Sequence, residues 1–187
     1  VYGGLMNKQL VSKLQAKGIN ALGLTGADLD LIRSCRRPVK EIDYGFVGDV
    51  EEVNGEQLAL LLSHGITPVV APLTHDGLGQ MLNTNADTIA SEVARSLADK
   101  FQVNLVMCFE KAGVLMDIDD PSSLVHTLNR EEMARLRAEG VIVEGMLPKL
   151  SNAFEALDAG VSRVFICHVD AIGQLGTEDF VGTEIRK

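Results

Sequence analysis

The sequence predicts an α/β protein built on a mainly parallel sheet with helices on both faces. Three observations predict it. Apolar strand-like runs alternate with amphipathic helical stretches along all 187 residues. Runs such as TPVVAPL, NLVMCF and RVFICHV are continuously apolar rather than alternating, the pattern of strands buried on both faces. No long repeat, linker or low-complexity segment interrupts the order, and the length suits one medium domain or two small lobes sharing a core.

The elements follow in order. NKQLVSKLQAK, Asn7 to Lys17, reads as a helix with Leu10, Val11 and Leu14 on one face, stopped by Gly18. INALGLTG, from Ile19, is a short buried strand entering a turn. The charged RSCRRPVKEIDYG is an exposed excursion or hairpin. GEQLALLLSHG is a helix ending at Gly65, and TPVVAPL, from Thr67, is a strand. NADTIASEVARSLAD, from Asn85, aligns Ile89, Val93 and Leu97 on one helical stripe. NLVMCF, from Asn104, is a buried strand, and REEMARLRAEG, from Arg130, a helix with charged faces. MLPKLSNAFEALDAG, from Met146, is a helix turning Leu147, Leu150, Phe154 and Leu157 inward. RVFICHV, from Arg163, is the final strand.

Composition narrows the function classes. The net charge of −9 disfavours broad nucleic-acid or membrane-surface binding, while a local basic site for a small anion stays compatible with it. The 46% apolar content is ordinary for a soluble globular protein, and no apolar run is long enough to span a membrane. Three scattered cysteines, Cys35, Cys108 and Cys167, without a Cys-x-x-Cys pair, point to a reduced, cytoplasmic protein.

In a parallel sheet, ligands bind beyond the carboxyl ends of the strands. The polar segments after Leu24, Leu73, Phe109 and Val169 are therefore the candidates. TGAD, Thr25 to Asp28, lacks the glycines and lysine of the phosphate-loop fingerprints; it fits a plain turn, or a loop beside a substrate or phosphate. LNTNAD gathers Asn83, Asn85 and Asp87 at a helix start. One asparagine as N-cap and Asp87 against the dipole explain two of the three. The functional reading has Asn83 hydrogen-bonding a substrate and Asp87 orienting a lysine. Lys149 stands in a first helical turn, where the dipole disfavours a cation. It is either a solvated surface lysine or, with the helix amides, a phosphate site. His64, His75, His126 and His168 show no ligand spacing, and MDIDDP lacks the spacing of a calcium loop.

The motifs VYGGLMNKQLVSKL, ALGLTGADLDLI, DYGFVGDVEEVN, LNTNADTIASEVARSL, GMLPKLSNAFEALDAGV and GTEI, taken in this order, resemble the acetylglutamate kinase family of the amino acid kinase superfamily. The resemblance implies a three-layer αβα sandwich with a mainly parallel central sheet. It implies a remainder of the acyl-amino-acid lobe over 1–99 and a nucleotide lobe over 100–187. The implied activity is ATP-dependent phosphorylation of the side-chain carboxylate of N-acetyl-L-glutamate, in arginine biosynthesis, with Mg²⁺ carried by the nucleotide. N-succinyl-L-glutamate, another amino acid kinase substrate, or a regulatory scaffold are the alternatives. By resemblance Asn83 holds the substrate's α-group and Asp87 positions catalytic lysines. Lys149 binds phosphates and stabilises the moving phosphoryl, and Gly145 and Met146 flank the nucleotide. Two departures stand out. The family's amino-terminal Lys-x-Gly-Gly loop is not in this sequence, so the chain is expected to start inside the family's length. At the usual Ser/Thr-Asp-Val-x-Gly turn the sequence reads CFEKAGVL, placing Phe109 at the hydroxyl residue and Glu110 at the aspartate, with Glu110 keeping the charge beside the nucleotide. Partners implied are small molecules and a second copy of the chain, as a homodimer or higher oligomer.

Overall fold

A computed structural model, describing residues 1–142 and 145–187, divides the chain into two compact units, Val1–Lys100 and Phe101–Lys187. In the first unit a π-helical turn, Tyr2–Met6, leads into α1 (Asn7–Gln15). Strand β1 (Ala21–Leu24) pairs in parallel with β4 (Thr67–Val70). A four-stranded sheet has the order β3-β2-β5-β6, from β2 (Ile32–Arg36), β3 (Gly48–Val53), β5 (Leu73–His75) and β6 (Met81–Asn83). Strands β2 and β5 run parallel, whereas β2–β3 and β5–β6 are antiparallel hairpins, because a short connection returns a chain only in the opposite direction. The charged stretch read as an exposed excursion or hairpin is corrected in its first part: Arg33–Arg36 belong to β2, with Ser34 buried, and only the residues after them form the arm joining β2 to β3.

Helices α2 (Gly55–Ser63) and α3 (Ala86–Leu97) begin at asparagine caps. Asn54 accepts from the Gln57 amide at 3.2 Å. Asn85 accepts from the amides of Asp87 and Thr88 at 2.9 and 3.1 Å, which satisfies donors that a helix start leaves open. A side chain at Gly55 would strike the Ser96 carbonyl, so only glycine lets the start of α2 approach the end of α3. Leu31, Ile32, Leu58, Leu82 and Ile89 fill this core.

The expected face of α1 is corrected. Leu10 is 48% exposed, and the buried position is Asn7, followed at helical spacing by the half-buried Val11 and Leu14. The Asn7 amide donates to the Val69 carbonyl at 2.8 Å and to the Leu24 carbonyl at 3.5 Å. A polar side chain takes the place that hydrophobicity alone assigned to leucine, its amide nitrogen bonded to backbone and its buried Oδ1 without a hydrogen-bond partner among the described residues.

The second unit holds a sheet of order β7-β9-β10-β8. Strands β7 (Asn104–Phe109) and β9 (Arg163–His168) are parallel along their whole length. β10 (Gly182–Ile185) runs antiparallel to β9 and parallel to β8 (Thr127–Leu128). RVFICHV is therefore not the last strand. Helices α4 (Arg130–Ala138) and α5 (Leu147–Asp158) complete the unit, and Leu150, Phe154, Leu157, Val164 and Ile166 are its core. Leu147 is only half-buried; the other three predicted inward residues of α5 are buried.

Candidate active site

In the first unit the chemistry-bearing residues gather where β6 turns into α3. Asn83 closes β6, with an exposed side chain and an amide that donates to the Phe46 carbonyl at 2.8 Å. This ties the β2–β3 arm to the strand end. Thr84, buried, donates to the Gly48 carbonyl at 3.2 Å and meets the Thr74 hydroxyl at 2.9 Å. Asn85 is spent on the cap, and Asp87 is half-buried at the second position of α3. The structure thus brings Asn83 and Asp87 to one corner, held by Thr84 and Asn85.

TGAD closes on itself. The Asp28 carboxylate accepts from the Thr25 amide at 2.6 Å and the Thr25 hydroxyl at 2.8 Å. The Thr25 amide leads in holding this carboxyl below its usual range, against the opposing effect of burial. Leu29 and Asp30 follow with φ of 58° and 51°, a left-handed backbone uncommon outside glycine and better tolerated by Asp30 than by Leu29. Asp30 pairs with Arg33, and His75 Nε2 lies 2.8 Å from its carboxylate.

In the second unit the site forms around the carboxyl end of β7. A cavity of about 380 Å³ is walled by Phe109, the Gly113–Ile118 loop, Glu139–Ile142 and Met146, within the size range of small-molecule sites. Its loop wall is anchored by Thr183 of β10, whose fully buried hydroxyl accepts from the Val114 amide at 2.8 Å and donates to the Val125 carbonyl at 2.6 Å. Gly113 sits so close to this hydroxyl that a side chain there would collide with it. Lys111 Nζ donates to the Ile118 carbonyl at 3.3 Å, closing the loop.

Helix α5 starts beside that cavity. Helices α2, α3 and α4 have asparagine caps, whereas α5 begins at Met146, whose side chain provides none, and its first turn holds no acidic residue. Pro148 fits such a turn because it has no amide to satisfy. Lys149, half-buried in that turn, places Nζ 5.8 Å from the centre of the Phe109 ring, within cation–π range. A partial positive helix end and an ammonium group thus flank one cavity wall, an arrangement that attracts anions. Met146 lines the cavity. Gly145 and Glu110 are exposed and are not among its described lining residues.

Sequence reasoning did not find Thr183 or the cavity walls at 113–118 and 139–142. Thr183 carried one signal, a hydroxyl within a short strand that also contains glycine. Of the histidines, His64 bonds the Leu60 carbonyl at the end of α2, and His168 caps the following turn by accepting from the Asp170 amide. Among the described residues no group of three or more His, Cys, Asp or Glu could hold a metal ion.

Fold and site together define an α/β protein with a lysine-bearing helix mouth beside an apolar cavity. The chain belongs to the amino acid kinase family, whose model matches residues 1–168. It is 60% identical over 174 residues to an acetylglutamate kinase of Phocaeicola vulgatus, covering 93% of this chain and 68% of that protein. A crystal structure of a Streptococcus mutans protein superposes with a TM-score of 0.76 at 27% identity, over 97% of this chain and 67% of that one. Carbamate kinase of Giardia lamblia shares the fold, with a TM-score of 0.65 at 15% identity over 99% of this chain and 68% of that one. The α/β sandwich expected from the motifs is the fold of these neighbours.

Proposed function

We propose that the protein is an acetylglutamate kinase, transferring the γ-phosphoryl group of ATP to the side-chain carboxylate of N-acetyl-L-glutamate in arginine biosynthesis. The observation that carries the reading is the mouth of α5, where Lys149 and the first-turn amides lie beside the Phe109 wall of the cavity. The second unit takes the nucleotide, its base in the apolar cavity and its phosphates toward Lys149. The first unit takes the acyl amino acid.

The substrate carboxylate is ionised at neutral pH, so the reaction needs no general base. Its oxygen attacks the γ-phosphorus, the bond to the bridging oxygen breaks, and ADP departs with the electron pair. Positioning and charge neutralisation do the rest. Lys149 offsets the charge on the phosphoryl in flight. Asn83 holds the α-group of the substrate, and Asp87, pre-aligned by the cap at Asn85, orients cationic groups. Gly145 and Met146 flank the nucleotide, and Glu110 gives its rim a negative charge. In this reading magnesium enters with the phosphates as part of the substrate, and no step is assigned to it.

No helix among the described residues is long and apolar enough to cross a membrane, and ATP dependence suits the cytoplasm. A homodimer or higher oligomer is part of the same reading, with the exposed Tyr2, Leu5 and Leu10 supplying an apolar face. The test is direct. Purified full-length protein with ATP, magnesium and N-acetyl-L-glutamate forms an acyl phosphate that hydroxylamine traps as a hydroxamate. N-succinyl-L-glutamate, carbamate and aspartate run in parallel. No hydroxamate from either acylglutamate refutes the reading; a preference for the succinyl compound changes the acyl group and keeps the reaction.

A further inference from the structure

Cys108 and Cys167 are direct partners in the parallel register of β7 and β9. Side chains at paired positions of neighbouring strands project to the same face of a sheet. Neighbouring strands lie about 4.8 Å apart, within the roughly 4.4–6.8 Å that a disulfide spans between Cα atoms. Both residues are free thiols; Cys108 is exposed and Cys167 fully buried. Burial first, then the neighbouring Cys108, pushes the Cys167 thiol up to about 11. Side chains alternate along β7, so Cys108 faces away from Phe109 and the cavity. The pair plays no part in the proposed phosphoryl transfer.

We propose that Cys108 and Cys167 form a thiol–disulfide site, oxidised by hydroperoxides to an intramolecular disulfide and reopened by dithiols. The different exposures set the order of events. The accessible Cys108 sulfur attacks one peroxide oxygen. The S–O bond forms, the O–O bond breaks, and the departing hydroxide takes the thiol proton as water, leaving a sulfenic acid. The Cys167 sulfur then attacks Cys108 Sγ. The S–S bond forms, the S–O bond breaks, and the hydroxide leaves as water with the Cys167 proton. Two thiols are oxidised and one peroxide is reduced to two waters. Cys167, protonated at neutral pH and out of solvent reach, meets no peroxide directly, and its proximity makes it the resolving partner.

The experiment treats the purified chain with hydrogen peroxide, blocks remaining thiols, and maps tryptic peptides by mass spectrometry. The denatured protein is expected to fall from three titratable thiols to one. The peptides Phe101–Lys111 and Val164–Arg186 should be joined with loss of two hydrogens, with Cys35 still alkylated. Dithiothreitol should restore all three thiols. In Cys167→Ser a sulfenic acid on Cys108 should be trapped by dimedone, and in Cys108→Ser Cys167 should stay reduced. The proposal is overturned if wild-type Cys108 proceeds to sulfinic acid while Cys167 stays free, if Cys35 supplies the linkage, or if all three thiols survive.

Discussion

Replacing Thr183 by valine tests how the cavity wall is held. The substitution keeps the shape and removes one hydroxyl. That hydroxyl serves the Val114 amide at 2.8 Å and the Val125 carbonyl at 2.6 Å, and is itself fully buried. Val114 is 2% exposed, so its amide would lose its partner without gaining water. Leaving a buried donor unsatisfied costs about 1–3 kcal/mol. The Val125 carbonyl belongs to a half-buried residue and recovers part of its loss from solvent. Together the expected destabilisation of the wall is about 2–4 kcal/mol. Native-state hydrogen exchange reads it at the Val114 amide, where local opening is measured separately from the rest of the chain. Nucleotide affinity should weaken in the same variant. Thr183→Ser keeps the hydroxyl and loses about one methyl, worth roughly 0.8 kcal/mol. Equal exchange rates and equal affinity in wild type and Thr183→Val would refute the reasoning, as would a serine variant as damaged as the valine one.

Two further predictions concern charge. Burial raises the Glu184 carboxyl, but Arg163 at 2.8 Å and Arg186 at 2.7 Å outweigh it and leave it below its usual range. A depressed folded value contributes stability above the unfolded carboxylate range that is lost as pH falls through the folded value. Urea unfolding should therefore show Glu184→Gln less stable than wild type at pH 7, with the gap closing in acid; a gap that widens in acid contradicts the assignment. Asp87→Asn keeps the volume and removes a charge. It should lower kcat at least tenfold and leave ATP affinity within about twofold, because its role is aim rather than binding; steady-state kinetics with a nucleotide titration separates the two.

Much of the fold was legible because its signals are local. The continuous apolar runs of β7 and β9 and the 3.6-residue stripes of α3 and α5 announce themselves over a single window. Strands β5, β6 and β10 did not, being only three or four residues long, with polar residues or glycine among them. Leu10 was misplaced for a different reason. Periodicity ranks residues by apolarity, and the Asn7 amide found two backbone carbonyls that no pattern in the sequence foretells. At the candidate site, the place of Lys149 in a first helical turn, where the dipole disfavours a cation, was legible, and the structure keeps it there. The cavity wall was not, because Phe109, Gly113–Ile118 and Glu139–Ile142 come together only through the sheet and through Thr183, which is 69 residues from Val114.

The account depends most on Lys149 stabilising transferred charge. Hydroxamate formation by Lys149→Ala at saturating ATP and N-acetyl-L-glutamate measures that role. Removing one electrostatic donor of this kind costs roughly 10²–10³ in kcat, and that is the loss predicted. Turnover equal to wild type, from a variant with the same folded stability, would contradict it.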